Sequence, residues 1–253
     1  SLADLITEPK ELLELLELDP ADAAAGLAAK DFPLRVPREF VARMARGDWR
    51  DPLLLQVWPS ILEGQQTAGF SQDPLEETHF TLAPGLIQKY QGRALLTAAP
   101  HCAVHCRYCF RRHFDYGANS PSRSQWQETL DVLRASSEVG EVILSGGDPL
   151  ALSDRQLGWL LEQLEQIPQL HTLRIHSRTP VVIPSRLTPA LAGLLRQIRL
   201  QCVLVLHSNH ARELGPELAK PLSNLKADGV TLLNQSVLLR DVNDSAPTLI
   251  ELS

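Results

Sequence analysis

Three cysteines lie close together in this chain, at Cys102, Cys106 and Cys109, in the spacing C-x3-C-x2-C. Three thiolates at this spacing can bind three corners of an iron–sulfur cube and leave the fourth iron without a protein ligand. An iron with an open coordination position beside a cavity is a reactive centre. We therefore interpret residues 100–113, which we name the cysteine loop, as the binding loop of a catalytic 4Fe–4S cluster.

Two other interpretations of the cysteine loop stay open at this point. A zinc ion could take its fourth ligand from one of three nearby histidines, which are His101, His105 and His113. Structural zinc more often uses two C-x2-C pairs far apart in sequence, and this chain has no second pair. A chance cluster of buried thiols is the other alternative. Cys202 stands alone in an apolar run, which predicts a buried structural thiol.

The composition limits the kinds of partner that the chain can have. The formal net charge of −6 argues against nucleic-acid binding, which usually needs a basic face. No apolar run reaches membrane-spanning length, and the N-terminus lacks the pattern of a signal peptide. Four cysteines, three of them clustered, do not resemble a secreted disulfide framework. We therefore expect a cytoplasmic protein without nucleic-acid or membrane partners.

The pattern of apolar residues divides the chain into three parts. Residues 1–63 predict an N-terminal helical extension. Residues 64–92 contain prolines and glycines between polar clusters and predict a connecting arm. From residue 93 to 253 strands alternate with helices, which predicts an α/β fold with a parallel sheet. Polar clusters follow the predicted strands, at the sheet edge where active sites of barrel-type folds lie.

Four segments together carry a resemblance to a known family. They are residues 106–114 (CRYCFRRHF), 145–149 (SGGDP), 177–180 (SRTP) and 234–244 (NQSVLLRDVND). The set resembles the radical S-adenosylmethionine superfamily and, more narrowly, the lysine 2,3-aminomutases. The sequence around the cysteines most resembles the branch that makes β-lysine for the modification of elongation factor P. The resemblance runs from about residue 35 to the end and implies a partial (β/α) barrel of radical-SAM type.

The resemblance implies which residues hold the cofactors. The three cysteines bind the 4Fe–4S cluster, whose open iron holds S-adenosylmethionine. The strand-end motif and the aromatic residue before the last cysteine serve S-adenosylmethionine; these residues are Ser145, Gly146, Gly147, Asp148 and Tyr108. Pyridoxal 5'-phosphate is the second cofactor, and its phosphate is expected to bind Arg93, Arg178 and Lys89. Lys89 stands where the family can have arginine, so the bidentate fork is lost there.

The resemblance also implies how the substrate lysine is bound. Arg111 matches the arginine that pairs with the substrate carboxylate, and a guanidinium can make that contact in bidentate fashion. Asp244 matches an aspartate that meets the ε-ammonium. Asp244 could instead cap the helix that follows it, and both roles could hold together. The cluster His207, Asn209 and His210 ends a strand and receives no role.

The expected function is the conversion of L-lysine to β-lysine by an isomerase that uses these three cofactors. An electron-donor protein is the expected partner, elongation factor P is linked through the pathway, and a homo-oligomer is possible. One alternative is an aminomutase for another amino acid such as glutamate. An alternative of another class is a zinc-stabilised binding module without catalysis.

One element of the family pattern does not occur in this sequence. The lysine that forms the Schiff base with pyridoxal phosphate lies in a glycine-rich segment beyond the fifth strand, and no such segment precedes Ser253. We therefore expect the C-terminal part of the barrel to be missing and this chain alone to be inactive. No catalytic residue is predicted within it.

Overall fold

A computed structural model describes residues 4–22, 32–65, 68–116 and 123–253 of the chain. Its centre is a seven-stranded sheet in the order β3-β4-β5-β6-β7-β8-β9. The two strands of a separate small sheet are β1 Leu5–Ile6 and β2 Val36–Pro37. The strands of the large sheet are β3 Thr81–Ala83, β4 Leu86–Tyr90, β5 Arg93–Ala99, β6 Glu141–Gly146, β7 Thr172–Ser177, β8 Gln201–His207 and β9 Thr231–Gln235.

The last five strands of the large sheet run parallel, and helices connect them. The helices of the chain are α1 Pro9–Leu15, α2 Arg38–Val41, α3 Arg123–Ala135, α4 Asp154–Glu165, α5 Thr179–Val182, α6 Pro189–Gln197, α7 Pro216–Ala227 and α8 Ala246–Leu252. Parallel neighbours need long crossovers, and the helical crossovers cover the sheet. The α/β fold with a mainly parallel sheet is confirmed.

Local sequence signals set several helix starts. Ser153 and Gln156 form a capping box at the start of α4. The Ser153 side chain accepts from the Gln156 backbone N–H, and the Gln156 side chain accepts from the Ser153 backbone N–H. Thr188 caps α6 by accepting from the Leu191 backbone N–H, and Pro189 takes the first helical position. Both helices bury leucines in the core on the sheet, and these are Leu157, Leu160, Leu161 and Leu164 of α4 and Leu191 and Leu195 of α6.

Residues 81–90 differ from the irregular arm that the sequence predicts for 64–92. Strands β3 and β4 form an antiparallel hairpin there, and β4 pairs with β5, so this hairpin extends the large sheet. Its turn contains Pro84 followed by Gly85, which has a φ of 74°. Proline before a glycine of positive φ is the composition of a type II turn. The turn residues that indicated a loop are therefore the corner of a hairpin.

The N-terminal segment has its own apolar core, which includes part of the cysteine loop. Ala103 and Val104 of that loop are buried among residues such as Leu12, Phe40 and Leu53. The described part of the extension contains short helices, 3₁₀ turns and the small sheet β1–β2. Its packing against the loop means that the extension supports the cysteines. Within the described ranges, no helix is both long and apolar enough to cross a membrane.

Candidate active site

A cavity of about 530 Å³ extends from the start of β5 to the C-terminal ends of β6, β7 and β8. Its wall includes all three clustered cysteines and most of the residues that the sequence assigned to cofactors and substrate. These predicted residues line it: Lys89, Arg93, Cys102, Cys106, Tyr108, Cys109, Arg111, Ser145, Gly146, Gly147, Asp148 and Arg178. Segments that are far apart in sequence therefore meet at one cavity. Most of them lie at the carboxyl ends of the parallel strands, where active sites of such folds lie, whereas Arg93 stands at the start of β5.

The N-terminal segment holds the cysteine loop by main-chain hydrogen bonds. The backbone N–H of His105 donates to the carbonyl oxygen of Arg35 at 3.0 Å, and that of Arg107 donates to Gln56 at 2.9 Å. The Arg107 side chain also pairs with Glu63. These contacts lie on either side of Cys106, so they fix the direction in which the loop presents its thiols.

The three thiols are in the free form and share one electrostatic environment. Burial raises the pKa of Cys102 well above its ordinary value, and Asp148 and the other two thiols raise it further. Burial also raises the pKa of Cys106, where Arg178 acts in the opposite direction. Without metal these groups are protonated at neutral pH. A metal that binds here must displace protons, as thiolate ligands generally require.

The arrangement of the thiols fits a multi-iron group. Among the described residues, no three His, Cys, Asp or Glu side chains lie close enough to hold one metal ion. A cube binds each cysteine to a different iron, so its ligands need not converge on one point. Three free cysteines on one cavity wall, from one loop, are the donor set that such a cube uses.

The two glycines at the end of β6 are required by close packing and by backbone conformation. Gly146 has a φ of 106°, which favours glycine. A Cβ on Gly147 would lie 2.4 Å from the carbonyl oxygen of His101, in the cysteine loop. The missing side chain of Gly147 thus makes room for the chain's own loop as well as for the cavity. The motif joins β6 to the cysteines.

Asp148, for which the sequence predicts a cofactor contact, has a carboxylate that groups of the protein itself contact. One carboxylate oxygen accepts from Leu150 N–H and the Ser177 hydroxyl. The other accepts from the backbone N–H groups of Arg178 and Thr179, both at 2.8 Å. Both oxygens are engaged by the protein. Asp148 therefore ties the end of β6 to the end of β7, although it lines the cavity.

Arg178, a predicted phosphate ligand, has a guanidinium that the protein itself contacts. Its Nη2 lies 3.0 Å from a carboxylate oxygen of Glu213, which is fully buried. The same nitrogen donates to Gln56 Oε1, and Nη1 donates to the carbonyl oxygen of His207, both at 2.9 Å. The guanidinium lies 5.7 Å from the centre of the Tyr108 ring. Its charge is neutralised by the protein, so a phosphate would compete with a buried ion pair.

Two other cations remain accessible at the cavity wall. Arg93 is exposed, and within the described part of the chain its side chain has no hydrogen-bond or ion-pair partner. Lys89 is exposed too; its Nζ donates to the carbonyl oxygen of Leu75 and lies 5.2 Å from the centre of the Phe80 ring. Of the three predicted phosphate ligands, these two fit an anionic group.

Arg111 lies in the cavity wall, but a protein carboxylate already contacts it. Its Nε and Nη2 donate to the two carboxylate oxygens of Glu77 at 2.8 and 2.5 Å, and its Nη1 donates to Ser145 Oγ at 3.0 Å. Both members of the pair are buried. The sequence prediction names Arg111 but not Glu77.

Asp244 is the predicted site residue that the structure does not bring to the others. It is exposed, it does not line the cavity, and its carboxylate accepts from the backbone N–H of Asp241. It is not the cap of the last helix either, because Ser245 accepts from Thr248 N–H there. The predicted contact with a substrate ammonium therefore has no support from this geometry.

Two histidines at neighbouring strand ends form a second polar wall. His176 Nδ1 lies 3.2 Å from His207 Nε2, and both residues line the cavity with Gln235. Burial, with His176, Arg178 and Arg111, lowers the pKa of His207 to about 3. Both imidazoles are neutral at physiological pH and can donate or accept hydrogen bonds.

Sequence reasoning gave no role to five residues at or beneath the cavity: Gln56, Glu77, His176, Glu213 and Gln235. His176 and Gln235 stand at strand ends, the same signal that singled out their neighbours. Glu77 and Gln56 lie in segments interpreted as arm and extension. Their partners are distant in sequence, so no local pattern marks them.

Comparisons with known proteins show which family the sequence resembles. The model of the radical SAM superfamily matches residues 96–232. The L-lysine 2,3-aminomutase of Escherichia coli (strain K12) is 52% identical over 100% of this chain and 74% of its own length. That of Haemophilus influenzae is 49% identical over 100% and 75%, and that of Clostridium subterminale is 34% identical over 98% and 59%. The superfamily match starts in β5 and includes the cysteine loop and the ends of β6, β7 and β8.

Proposed function

The chain belongs to the radical SAM superfamily and, within it, to the family of the L-lysine 2,3-aminomutases, and from this membership we propose that it serves the conversion of L-lysine to β-lysine. A radical SAM domain implies a 4Fe–4S cluster and S-adenosylmethionine. We propose pyridoxal phosphate as the third cofactor. When bound, these groups supply reductive cleavage of S-adenosylmethionine and delocalisation of a carbon radical, which is chemistry that no side chain provides.

The observation that carries the proposal is the shared cavity. Three free thiols from one loop, the glycine-rich end of β6 and two accessible cations line the same wall. Cys102, Cys106 and Cys109 would hold the cluster. The backbone at Ser145, Gly146 and Gly147 would contact S-adenosylmethionine, with Tyr108 beside Cys106.

The protein's own part in the reaction is positioning and the exclusion of water. Arg111 would bind the substrate carboxylate, because a planar fork of N–H donors matches that group. Arg93 and Lys89 would hold the phosphate of pyridoxal phosphate, since both are exposed cations at the wall. The neutral histidines His176 and His207 would supply hydrogen bonds without adding charge. Asp244 is left out of this assignment.

Two further points of the proposal concern the surroundings of the enzyme. An electron-donor protein would reduce the cluster. Elongation factor P would receive the β-lysine, because the sequence around the cysteines resembles the branch that modifies this factor. The described residues identify no binding surface for either protein, so these two points rest on the family resemblance.

Metal analysis tests the proposal at its base. Anaerobically reconstituted full-length protein should contain about four irons and four labile sulfides per chain, as a 4Fe–4S cluster requires. The Cys102→Ala, Cys106→Ala and Cys109→Ala variants should each lose most of both. One tightly bound zinc per chain without labile sulfide would instead support the non-catalytic zinc module.

A competition assay tests the substrate. The reconstituted enzyme, with S-adenosylmethionine, pyridoxal phosphate and a reductant, should form β-lysine from a mixture of lysine and glutamate. Selective formation of β-glutamate would refute lysine as the substrate and leave the radical chemistry standing. The two parts of the proposal can therefore fail separately.

A further inference from the structure

Glu77 is a buried acid at the cavity wall with 7% of its surface exposed. Its two carboxylate oxygens pair with Nε and Nη2 of Arg111, and Arg111 is equally buried. Buried charges in bidentate geometry restrain each other, because the loss of either leaves a charge without compensation. Glu77 therefore fixes both the position and the rotation of the Arg111 guanidinium.

The guanidinium of Arg111 has more donors than its protein partners use. An arginine carries five N–H groups in a planar fork. Glu77 takes one from Nε and one from Nη2, and Ser145 Oγ accepts one from Nη1. Within the described part of the chain, one N–H on each terminal nitrogen is left without an acceptor. Those two nitrogens form the end edge of the fork, and no carboxylate of the described residues pairs with that edge.

We propose that Glu77 is a positioning residue. It binds the Nε and Nη2 edge of the Arg111 guanidinium, so that the end edge formed by Nη1 and Nη2 binds the carboxylate of the amino-acid substrate. This inference rests on the proposed function, which assigns the substrate carboxylate to Arg111. Phe110 supports the same geometry, because its ring centre lies 4.9 Å from the guanidinium carbon. Ser145 holds the remaining side, so the fork has one orientation before the substrate arrives.

The hairpin of β3 and β4 explains how Glu77 reaches the cavity. Glu77 begins the 3₁₀ turn Glu77–Phe80, which leads directly into β3. Glu76, just before it, has a φ of 51°, a conformation uncommon for residues other than glycine. The chain thus bends sharply where it delivers the carboxylate. The segment that joins the extension to the sheet therefore contributes a residue to substrate recognition.

The test compares two ligands that differ only in the carboxylate, L-lysine and L-lysinamide. Their binding to the full-length holoenzyme is measured by calorimetry for wild type, Glu77→Gln and Glu76→Gln. Glu77→Gln should weaken L-lysine binding about ten- to hundredfold, the range for hydrogen bonds to charged groups, and leave L-lysinamide binding nearly unchanged. Glu76→Gln removes the same charge from an exposed neighbour and should change neither.

The outcomes separate this inference from the function on which it rests. If the wild type binds both ligands equally, the carboxylate site at Arg111 is refuted. If the wild type prefers L-lysine and Glu77→Gln binds it as well or more tightly, Glu77 is no positioning residue; tighter binding would mean that it competes with the substrate.

A double-mutant cycle shows whether Glu77 acts through Arg111. In an Arg111→Gln background, Glu77→Gln should cause no further loss of L-lysine affinity, whereas a second independent loss would overturn the inference. If Glu77→Gln fails to fold, Glu77→Asp keeps the charge but draws the carboxylate back. That variant should lose part of the preference for L-lysine over L-lysinamide, and an unchanged preference would again contradict the proposal.

Discussion

Asp148 and Arg178 lie at strand ends beside the cavity, and the polar groups of both side chains bind other groups of the protein. Asp148 accepts from the backbone N–H groups of Arg178 and Thr179, while the Arg178 guanidinium pairs with Glu213. The sequence could predict that these residues lie at the cavity, because the ends of parallel strands meet at one edge. It could not predict their partners, because Glu213 lies in another loop and only the folded chain brings it near.

The histidine pair at the ends of β7 and β8 gives a pH dependence of stability. Burial, helped by His176 and Arg178, lowers the pKa of His207 from its ordinary 6.5 to about 3. Below about pH 6.5 His207 binds a proton in the unfolded chain but not in the folded chain. The contribution of His207 to the free energy of unfolding is therefore fully present above pH 6.5 and decreases as the pH falls towards 3.

His207→Gln should make this loss of stability at low pH shallower. One proton bound only by the unfolded state contributes a slope of at most about 1.4 kcal/mol per pH unit, and the variant lacks that contribution. The free energy of unfolding in urea, measured at several values between pH 4 and 8, checks it. A slope equal to that of the wild type would show that His207 is not held neutral in the folded protein.

At the scale of elements, the end of β6 and the cysteine loop are packed as one unit. Gly147 N–H donates to Ala99 and Asp148 N–H donates to His101, at 2.8 and 2.9 Å. The glycines could be identified from the sequence as a strand-end motif. The reason for Gly147 could not, because the atom that excludes a side chain belongs to a loop about 46 residues earlier.

Gly147→Ala should therefore disturb the cysteine loop. A Cβ would lie 2.4 Å from the carbonyl oxygen of His101, and backbone cannot yield cheaply, so we expect a loss of about 1–3 kcal/mol and reduced iron content. Thermal unfolding and iron analysis measure both effects.

Gly193→Ala is the matched control for this change. Gly193 lies within α6, where a Cβ would meet no atom within 4 Å. Alanine there should be neutral or should stabilise by up to about 1 kcal/mol, because glycine is a poor helix former. Equal effects of the two substitutions would contradict the packing argument.

At the scale of the molecule, Gln56 joins the N-terminal extension to the sheet. Its Oε1 accepts from Arg178 and Asn209, both at 2.9 Å, and its Nε2 donates to Glu213 at 2.8 Å. Its carbonyl oxygen accepts from the backbone of Arg107 in the cysteine loop. The helical character of the extension could be predicted in part, but its support of the loop depends on contacts between segments that no local pattern records.

Gln56→Met should loosen this junction. Methionine fills the volume but removes the hydrogen bonds, and buried donors left unpaired should cost about 2–4 kcal/mol in total and lower the iron content. Gln166→Met, at the exposed end of α4, is the control and should change neither quantity. Denaturant unfolding and iron analysis decide, and an unaffected Gln56→Met would show that the extension is not coupled to the loop through this side chain.

The central claim is that the cysteines of this cavity support a radical rearrangement of lysine. The direct measurement is β-lysine and 5'-deoxyadenosine formed by full-length wild type and Cys106→Ala, assayed in parallel by mass spectrometry with lysine, S-adenosylmethionine, pyridoxal phosphate and a reductant. Both products should appear with the wild type and fall to background with the variant. Undiminished β-lysine from Cys106→Ala would contradict the account.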